Sequence, residues 1–160
     1  KLFQILNDIS KIMMCLSMNE NFSEYTFDDI EIGLSKEFQV TITESLVNDF
    51  AKVSGDFSPI HMDEKYAAST TFKKRVVHGM LLASFLSRVD GMYLPGKHAL
   101  YFSQNIEFQN PCFIGDTLTV FSKVIDKSES TKILKIESKI TNQDNKILLY
   151  GIGRVIVRDD

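Results

Sequence analysis

The stretch over residues 78–93 constrains the fold most, because it has helical length and carries apolar residues on nearly every side. A helix that is apolar all round has to be buried by the rest of the chain. Leu94, Pro95 and Gly96 follow it directly, and this breaker chemistry ends a helix. The sequence therefore predicts a long central helix with the remaining elements packed around it.

Four segments with the β-branched and aromatic composition of strands come after this helix. They cover residues 99–108, 117–126, 132–141 and 146–157, and short turns rich in Asn, Gly, Pro and Asp separate them. One alternating segment, 36–43, comes before the helix, and Thr43 is suited to cap a second helix that ends near Gly55. Helices early and antiparallel strands late predict an α+β domain.

Asp56 and His61 lie in a short stretch that glycine and proline shape. Gly55 permits a sharp bend before Asp56, and Pro59 fixes its own φ and pushes Ser58 toward extended backbone. We predict a rigid, irregular loop that presents a carboxylate and an imidazole. An unperturbed imidazole, with a pKa of about 6.5, can exchange protons with a bound water near neutral pH.

Gly79 opens the central helix, so its N–H is among the first donors without an intrahelical partner. Glycine also lets a polarised carbonyl approach without a Cβ in the way, which makes Gly79 a candidate oxyanion donor. Each of these residues has an alternative interpretation. Asp56 would cap a turn, His61 would be a partly buried loop residue, and Gly79 would allow close packing of the helix on the sheet.

Several spaced motifs in this order are similar to those of one known family. They are residues 54–61 (SGDFSPIH), 77–81 (VHGML), 94–96 (LPG) and 108–118 (FQNPCFIGDTL). Together they resemble the hydratase signature of the MaoC-like, (R)-specific enoyl-CoA hydratase family. The resemblance implies a hot-dog fold, in which an antiparallel sheet wraps a long central helix.

The resemblance also implies an activity and its residues. The activity is reversible (R)-specific hydration of trans-2-enoyl-CoA in fatty-acid metabolism, with Asp56 and His61 as catalytic residues and Gly79 binding the thioester oxygen. Ser58 stands where the family usually has asparagine. His78 is interpreted as orienting the turn, and Ser87 either lies beside the site or is a buried serine bonded to backbone.

The partners implied by the resemblance are an acyl-CoA thioester and a second copy of the chain, with no metal or redox cofactor. Coenzyme A enters as part of the substrate. Two rival functions stay open: dehydration of 3-hydroxyacyl groups on acyl carrier protein, and a non-catalytic acyl-thioester-binding module of the same fold. A thioesterase is a weaker third, and it would release free thiol.

Two further features have open interpretations. The basic run at residues 73–75 either meets the phosphates of coenzyme A or is a solvated loop. Asp90 points either toward the acyl channel or out to solvent.

Length and charge limit the other classes of function. One hundred and sixty residues suit a single core, and a net charge of −3 gives no support to nucleic-acid binding. Cys15 and Cys112 are in no metal-binding spacing, and no apolar run reaches the roughly 20 residues of a membrane span. A cytoplasmic location is the expectation.

We divide the chain into an N-terminal helix and linker over residues 1–30 and a hydratase domain over residues 31–160. Residues 2–14 carry apolar side chains at helical spacing. Residues 1–18 have three interpretations: a tag remnant, a presequence, which would indicate an organellar matrix, or an accessory helix.

Overall fold

The computed structural model describes residues 22–158, so the helix predicted over residues 2–14 lies outside the described range. Five antiparallel strands form one sheet in the order β1-β3-β4-β5-β2. They are β1 Ser35–Thr41, β2 Ala99–Phe108, β3 Thr117–Ser128, β4 Ile133–Thr141 and β5 Ile147–Val157. All five predicted strands are confirmed, and β1 and β2 are the two edges of the sheet.

Four helices connect β1 to β2: α1 Glu44–Ser54, α2 Pro59–Met62, α3 Glu64–Ser69 and α4 Gly79–Arg88. The predicted cap of α1 is confirmed, because the Thr43 hydroxyl accepts a hydrogen bond from the Leu46 N–H at 3.2 Å. Gly55 ends α1 at a φ of +75°, in the left-handed region that favours glycine. Asp63 caps α3 in the same manner as Thr43, accepting from the Tyr66 N–H at 3.0 Å.

The central helix α4 continues into a π-helical turn, Val89–Tyr93, so the long predicted helix has a change of winding near its end. Leu81, Leu82 and Leu86 are buried against the sheet, whereas the Met80 side chain is 59% exposed. The prediction that this helix is buried on all sides is wrong for the Met80 face. The reason is that the sheet covers only one side of the helix.

Alternate residues of β3, β4 and β5 point into a single core under α4. The segment before β1 joins this core, since Phe27 and Ile30 are both buried. The Lys127 ammonium secures the segment by donating to the carbonyls of Phe27 and Ile30 at 3.1 and 2.9 Å. The division of the chain at residue 30 stays a prediction.

None of the helices within residues 22–158 is long and apolar enough to cross a bilayer. The α-helix α1 has 11 residues, and α4 with its π-helical turn extends only from Gly79 to Tyr93, whereas a helical span needs about 20 residues.

Candidate active site

Asp56 and His61 face each other across the junction between α1 and α2. The Asp56 carboxylate Oδ2 lies 4.0 Å from His61 Nε2. That distance is too long for a direct hydrogen bond, but a water about 2.8 Å from both atoms fits between them. The irregular loop predicted here is wrong over Pro59–Met62, which form one helical turn because proline is pre-organised for the first helical position.

Backbone contacts fix the orientation of the His61 ring. Its Nδ1 lies 2.6 Å from the carbonyl oxygen of Val76. A carbonyl only accepts, so Nδ1 donates, and in the neutral ring Nε2 carries the lone pair. The lone pair is therefore on the nitrogen nearer the Asp56 carboxylate, as a group that accepts a proton from water requires.

His78 is buried behind this pair, with 2% of its surface exposed. Its Nε2 donates to the Asp56 backbone carbonyl at 2.9 Å, and its ring centroid lies 4.0 Å from that of His61. Phe50 contacts the imidazole of His78 as well, with the centroids 5.2 Å apart. These contacts fit the interpretation of His78 as an orienting residue.

A cavity of about 420 Å³ opens beside His61 and Gly79, a volume within the range typical of small-molecule sites. Its wall is largely apolar and includes Phe72, Val77, Met80, Leu82, Phe108 and Cys112. Such a wall suits an acyl chain, and the imidazole of His61 provides a polar group at the same surface.

Gly79 is the first residue of α4, and no acceptor within the described part of the chain bonds its N–H. A Cβ at this position would lie 2.9 Å from the ring of Phe108. The glycine thus combines a free donor at the cavity wall with close packing against the end of β2. The geometry is compatible with both interpretations of Gly79.

The other predicted site residues lie outside the cavity wall. The Asp56 side chain is half-exposed beside His61. Ser58 precedes α2, and its N–H donates to the Asp56 carboxylate at 3.1 Å, which bends the chain between them. Ser87 is exposed on α4 rather than buried. The roles of Ser58 and Ser87 in the site stay predictions.

Cys112 lies in the wall of the cavity, although the sequence motifs did not indicate this. Burial and the nearby Asp116 carboxylate raise the pKa of Cys112 to about 12. The thiolate is the nucleophilic form of cysteine, and this raised pKa disfavours it at neutral pH. A thioesterase that uses a cysteine nucleophile is therefore not supported at this cavity.

Asp56, His61 and His78 also offer potential metal-ligating atoms within 4.8 Å of one another. However, the two imidazole planes are only 30° from parallel, and their centroids are 4.0 Å apart. Imidazole lone pairs lie in the ring plane, so two stacked rings do not both aim a nitrogen at one ion. The trio is a poor metal site for this geometric reason.

Asp90 and Arg75 lie away from the cavity wall. The Asp90 side chain is buried, with 5% exposed, and desolvation raises the pKa of its carboxyl to about 8. Arg75 is also mostly buried and forms an ion pair with Glu44 at 2.8 Å, so the solvated-loop interpretation is wrong for this residue. Lys73 and Lys74 are exposed.

Comparison with known proteins finds relatives that match most of this chain. An (R)-specific enoyl-CoA hydratase from Rhodospirillum rubrum is 39% identical over 131 residues, which cover 82% of this chain and 90% of the relative. An (R)-specific enoyl-CoA hydratase from Aeromonas caviae is 35% identical over 76% of this chain and 91% of the relative.

Solved structures agree as well. The unliganded R-hydratase of Pseudomonas aeruginosa matches with a TM-score of 0.81 and 31% identity, covering 86% of this chain and 88% of that chain. The hot-dog fold is thereby confirmed. Since the MaoC-like domain family matches residues 28–145, the chain belongs to that family.

Proposed function

We propose that this protein is a hydro-lyase that adds water to trans-2-enoyl-CoA and gives (R)-3-hydroxyacyl-CoA, in a reversible reaction. One observation carries the proposal: His61 Nε2, the ring nitrogen with the lone pair, lies 4.0 Å from Asp56 Oδ2, and His61 lines an apolar cavity. The names of the Rhodospirillum and Aeromonas relatives support the same substrate class.

In the proposed mechanism a water is held between Asp56 and His61, and one of these groups accepts its proton. The water oxygen forms a bond to the β-carbon, and the π electrons of the double bond move to the thioester oxygen. A proton from the same pair then bonds to the α-carbon as the carbonyl re-forms. Both new bonds are made on the face of the acyl group that meets Asp56 and His61.

The charge that develops on the thioester oxygen is assigned to the Gly79 N–H at the start of α4. The helix dipole adds partial positive charge at this end. Donors of this kind are typically worth a factor of about 10² to 10³ in rate. The neighbouring His78 stabilises the pair by holding the Asp56 carbonyl at 2.9 Å.

The carrier is assigned as coenzyme A, with Lys73 and Lys74 as contacts for its phosphates. None of the ion pairs within residues 22–158 includes either lysine. Both lysines follow Phe72 of the cavity wall in the chain, and they line a separate pocket together with Glu44 and Glu64. An ammonium group without an ion pair is suited to bind a phosphate oxygen. Acyl carrier protein presents one phosphodiester and acidic residues, so it is the rival that the experiment has to separate.

The active protein is proposed to be a homodimer that joins its sheets at β2. Within residues 22–158 this strand pairs only with β5, so its other edge has backbone groups that no described strand pairs. Leu100, Phe102 and Phe108 on this strand are each more than half exposed. A long apolar edge strand tends to pair with another strand, and β2 of a second copy can pair with it and bury its apolar side chains.

The reaction as proposed uses no metal and no redox cofactor, because hydration needs only proton transfers and a stabilised oxygen. The cytoplasm is the proposed location. The buried free thiol of Cys112 is compatible with a reducing compartment.

The purified protein should be tested on a ladder of trans-2-enoyl-CoA esters, starting with crotonyl-CoA. Loss of the conjugated-thioester absorbance, no release of free thiol and an (R)-3-hydroxy product are expected. Free thiol would indicate a thioesterase instead. No turnover, with binding of the ester retained, would indicate the non-catalytic module.

A separate experiment tests whether coenzyme A is the carrier. Lys73→Ala combined with Lys74→Ala should raise KM for crotonyl-CoA about three- to tenfold, since each surface charge contributes modestly. The same variant should treat crotonyl-pantetheine, which lacks the phosphates, as the wild type does. An unchanged KM for crotonyl-CoA, or faster turnover of crotonyl-acyl carrier protein, would contradict the assignment.

A further inference from the structure

Arg75 lies directly behind His61 and has little contact with solvent. Only 13% of its side chain is exposed, whereas the side chain of its ion-pair partner Glu44 is 64% exposed. The guanidinium therefore faces the protein, and its position needs an explanation that a solvated basic loop does not give.

The guanidinium bridges two helices. Its Nε donates to the backbone carbonyl of His61 at 2.6 Å, and its Nη1 donates to the Glu44 carboxylate at 2.8 Å. Glu44 is the first residue of α1, and His61 is in α2. Arg75 thus connects α1, α2 and the segment that leads into α4.

The Arg75 bridge supports the backbone of His61, which the short helix α2 does not stabilise by itself. The helix α2 has only four residues, which is too short to be stable alone, and the carbonyls near a helix end have no intrahelical partner. A donated hydrogen bond from a cation satisfies the His61 carbonyl and is stronger than a neutral one. The location of the imidazole therefore depends on a group outside α2.

The next residue along the chain holds the ring of the same histidine. The Val76 carbonyl accepts from His61 Nδ1 at 2.6 Å, and the Val76 N–H donates to the Ile60 carbonyl at 3.1 Å. Arg75 and Val76 together fix the backbone and the ring of His61. A shift in either contact moves Nε2 relative to the Asp56 carboxylate.

We propose that Arg75 is a positioning residue for His61, acting through the His61 carbonyl and anchored at its other end by Glu44. The inference rests on the proposed hydration, in which His61 exchanges the proton of water. Lysine replaces this arrangement only in part, because one ammonium lacks the planar fork that reaches two separate acceptors.

The test compares Arg75→Met, which keeps the stem but has no donors, with Arg75→Lys and with Lys65→Met as a matched control. Lys65 is an exposed basic residue on α3. On crotonyl-CoA, Arg75→Met should lower kcat about 10- to 100-fold and change KM less than about threefold, since small displacements of a reacting group cost this much. Arg75→Lys should recover part of the loss, and Lys65→Met should match the wild type.

A double-mutant cycle tests the anchor. Glu44→Ala should lower kcat in the wild-type background but have no further effect in the Arg75→Met background, because the two residues act through one contact. Equal effects of Glu44→Ala in both backgrounds would overturn the role given to Glu44.

A second readout needs no substrate. The chain has three histidines, so the ring ¹⁵N signals of His61 can be assigned by their loss in His61→Asn. In the wild type His61 should be the Nδ1–H tautomer, and Arg75→Met should shift the ring signals and reduce this tautomer. Unchanged His61 signals, or wild-type kcat, would overturn the proposal. If the wild type hydrates no enoyl thioester, the proposed function fails, while these spectra still decide whether Arg75 positions His61.

Discussion

The imidazole of His78 lies against that of His61, with the ring centroids 4.0 Å apart and the planes 30° from parallel. The same buried ring donates from Nε2 to the Asp56 carbonyl at 2.9 Å. The buried His78 therefore contacts both members of the proposed proton-transfer pair, Asp56 through its backbone carbonyl and His61 through its ring.

The contacts of His78 predict that its hydrogen bond and its ring have separable effects. His78→Phe keeps an aromatic ring beside His61 but has no donor for the Asp56 carbonyl. We expect kcat/KM on crotonyl-CoA to fall about tenfold, the equivalent of one hydrogen bond. His78→Leu, which also loses the ring contact, should fall further. Equal turnover of His78→Phe and wild type would show that the Asp56 contact is not used.

Gly79→Ala tests the start of α4. The new Cβ would lie 2.9 Å from the Phe108 ring, at the residue whose N–H is proposed to bind the thioester oxygen. We expect at least a tenfold loss of kcat/KM together with a modest drop in Tm. Gly91→Ala is the matched control, since nothing lies within 4 Å of a Cβ there.

A second substitution separates the two interpretations of Gly79. Adding Phe108→Leu to Gly79→Ala relieves the contact with the ring and should restore Tm. If Gly79 serves the thioester oxygen, activity should stay low. Recovery of activity along with Tm would leave Gly79 with a packing role only.

The local chemistry of the chain predicts much of this arrangement. Thr43 and Asp63 are polar caps directly before their helices, and Gly79 opens a helix that its apolar neighbours make recognisable. The motif over residues 54–61, rather than the spacing of Asp56 and His61 alone, was the signal that paired an acid with an imidazole. In each case the signal lies within a few residues of the feature.

The contacts made across the fold carry no such signal. Arg75 meets Glu44, 31 residues earlier in the chain, and nothing in a basic run of three residues indicates that one of them is buried. The bond from His78 to the Asp56 carbonyl depends on how α4 meets the junction of α1 and α2. Tertiary packing brings such residues together, and the spacing of residues in a single sequence does not predict these contacts.

Asp90 predicts an unusual dependence of stability on pH. Burial raises the pKa of its carboxyl to about 8, whereas an unfolded aspartate titrates near about 3.9. Between these values the folded state keeps a proton that the unfolded state has lost. The free energy of unfolding should therefore fall as pH rises from about 4 to about 8, by up to about 1.4 kcal/mol per pH unit, and then level off.

Asp90→Asn removes that titration without removing the side-chain volume. Denaturant unfolding at pH 5, 6.5 and 8 should find the variant more stable than the wild type at pH 8, by about 1 to 4 kcal/mol, with a smaller gap at pH 5. Parallel profiles for the two proteins would contradict a buried neutral carboxyl at this position.

The exposed edge of β2 predicts the oligomeric state. Light scattering should give the mass of a dimer for the wild type, and Phe102→Arg should shift it to a monomer, because a charge on the apolar edge opposes pairing. Ile32→Arg is the control, since Ile32 is 62% exposed but lies before β1. A monomeric wild type would remove the dimer from the account.

Asp56 and His61 are the residues on which the proposed hydration depends most directly. The Asp56→Asn and His61→Asn variants test them, and Asp28→Asn is the exposed control. Initial rates of crotonyl-CoA hydration should fall at least about a hundredfold in both site variants, with Tm within a few degrees of wild type, because proton transfer by a positioned group contributes this much. The control should hydrate normally. Wild-type turnover by either site variant would contradict the central claim that these two side chains exchange protons with the attacking water.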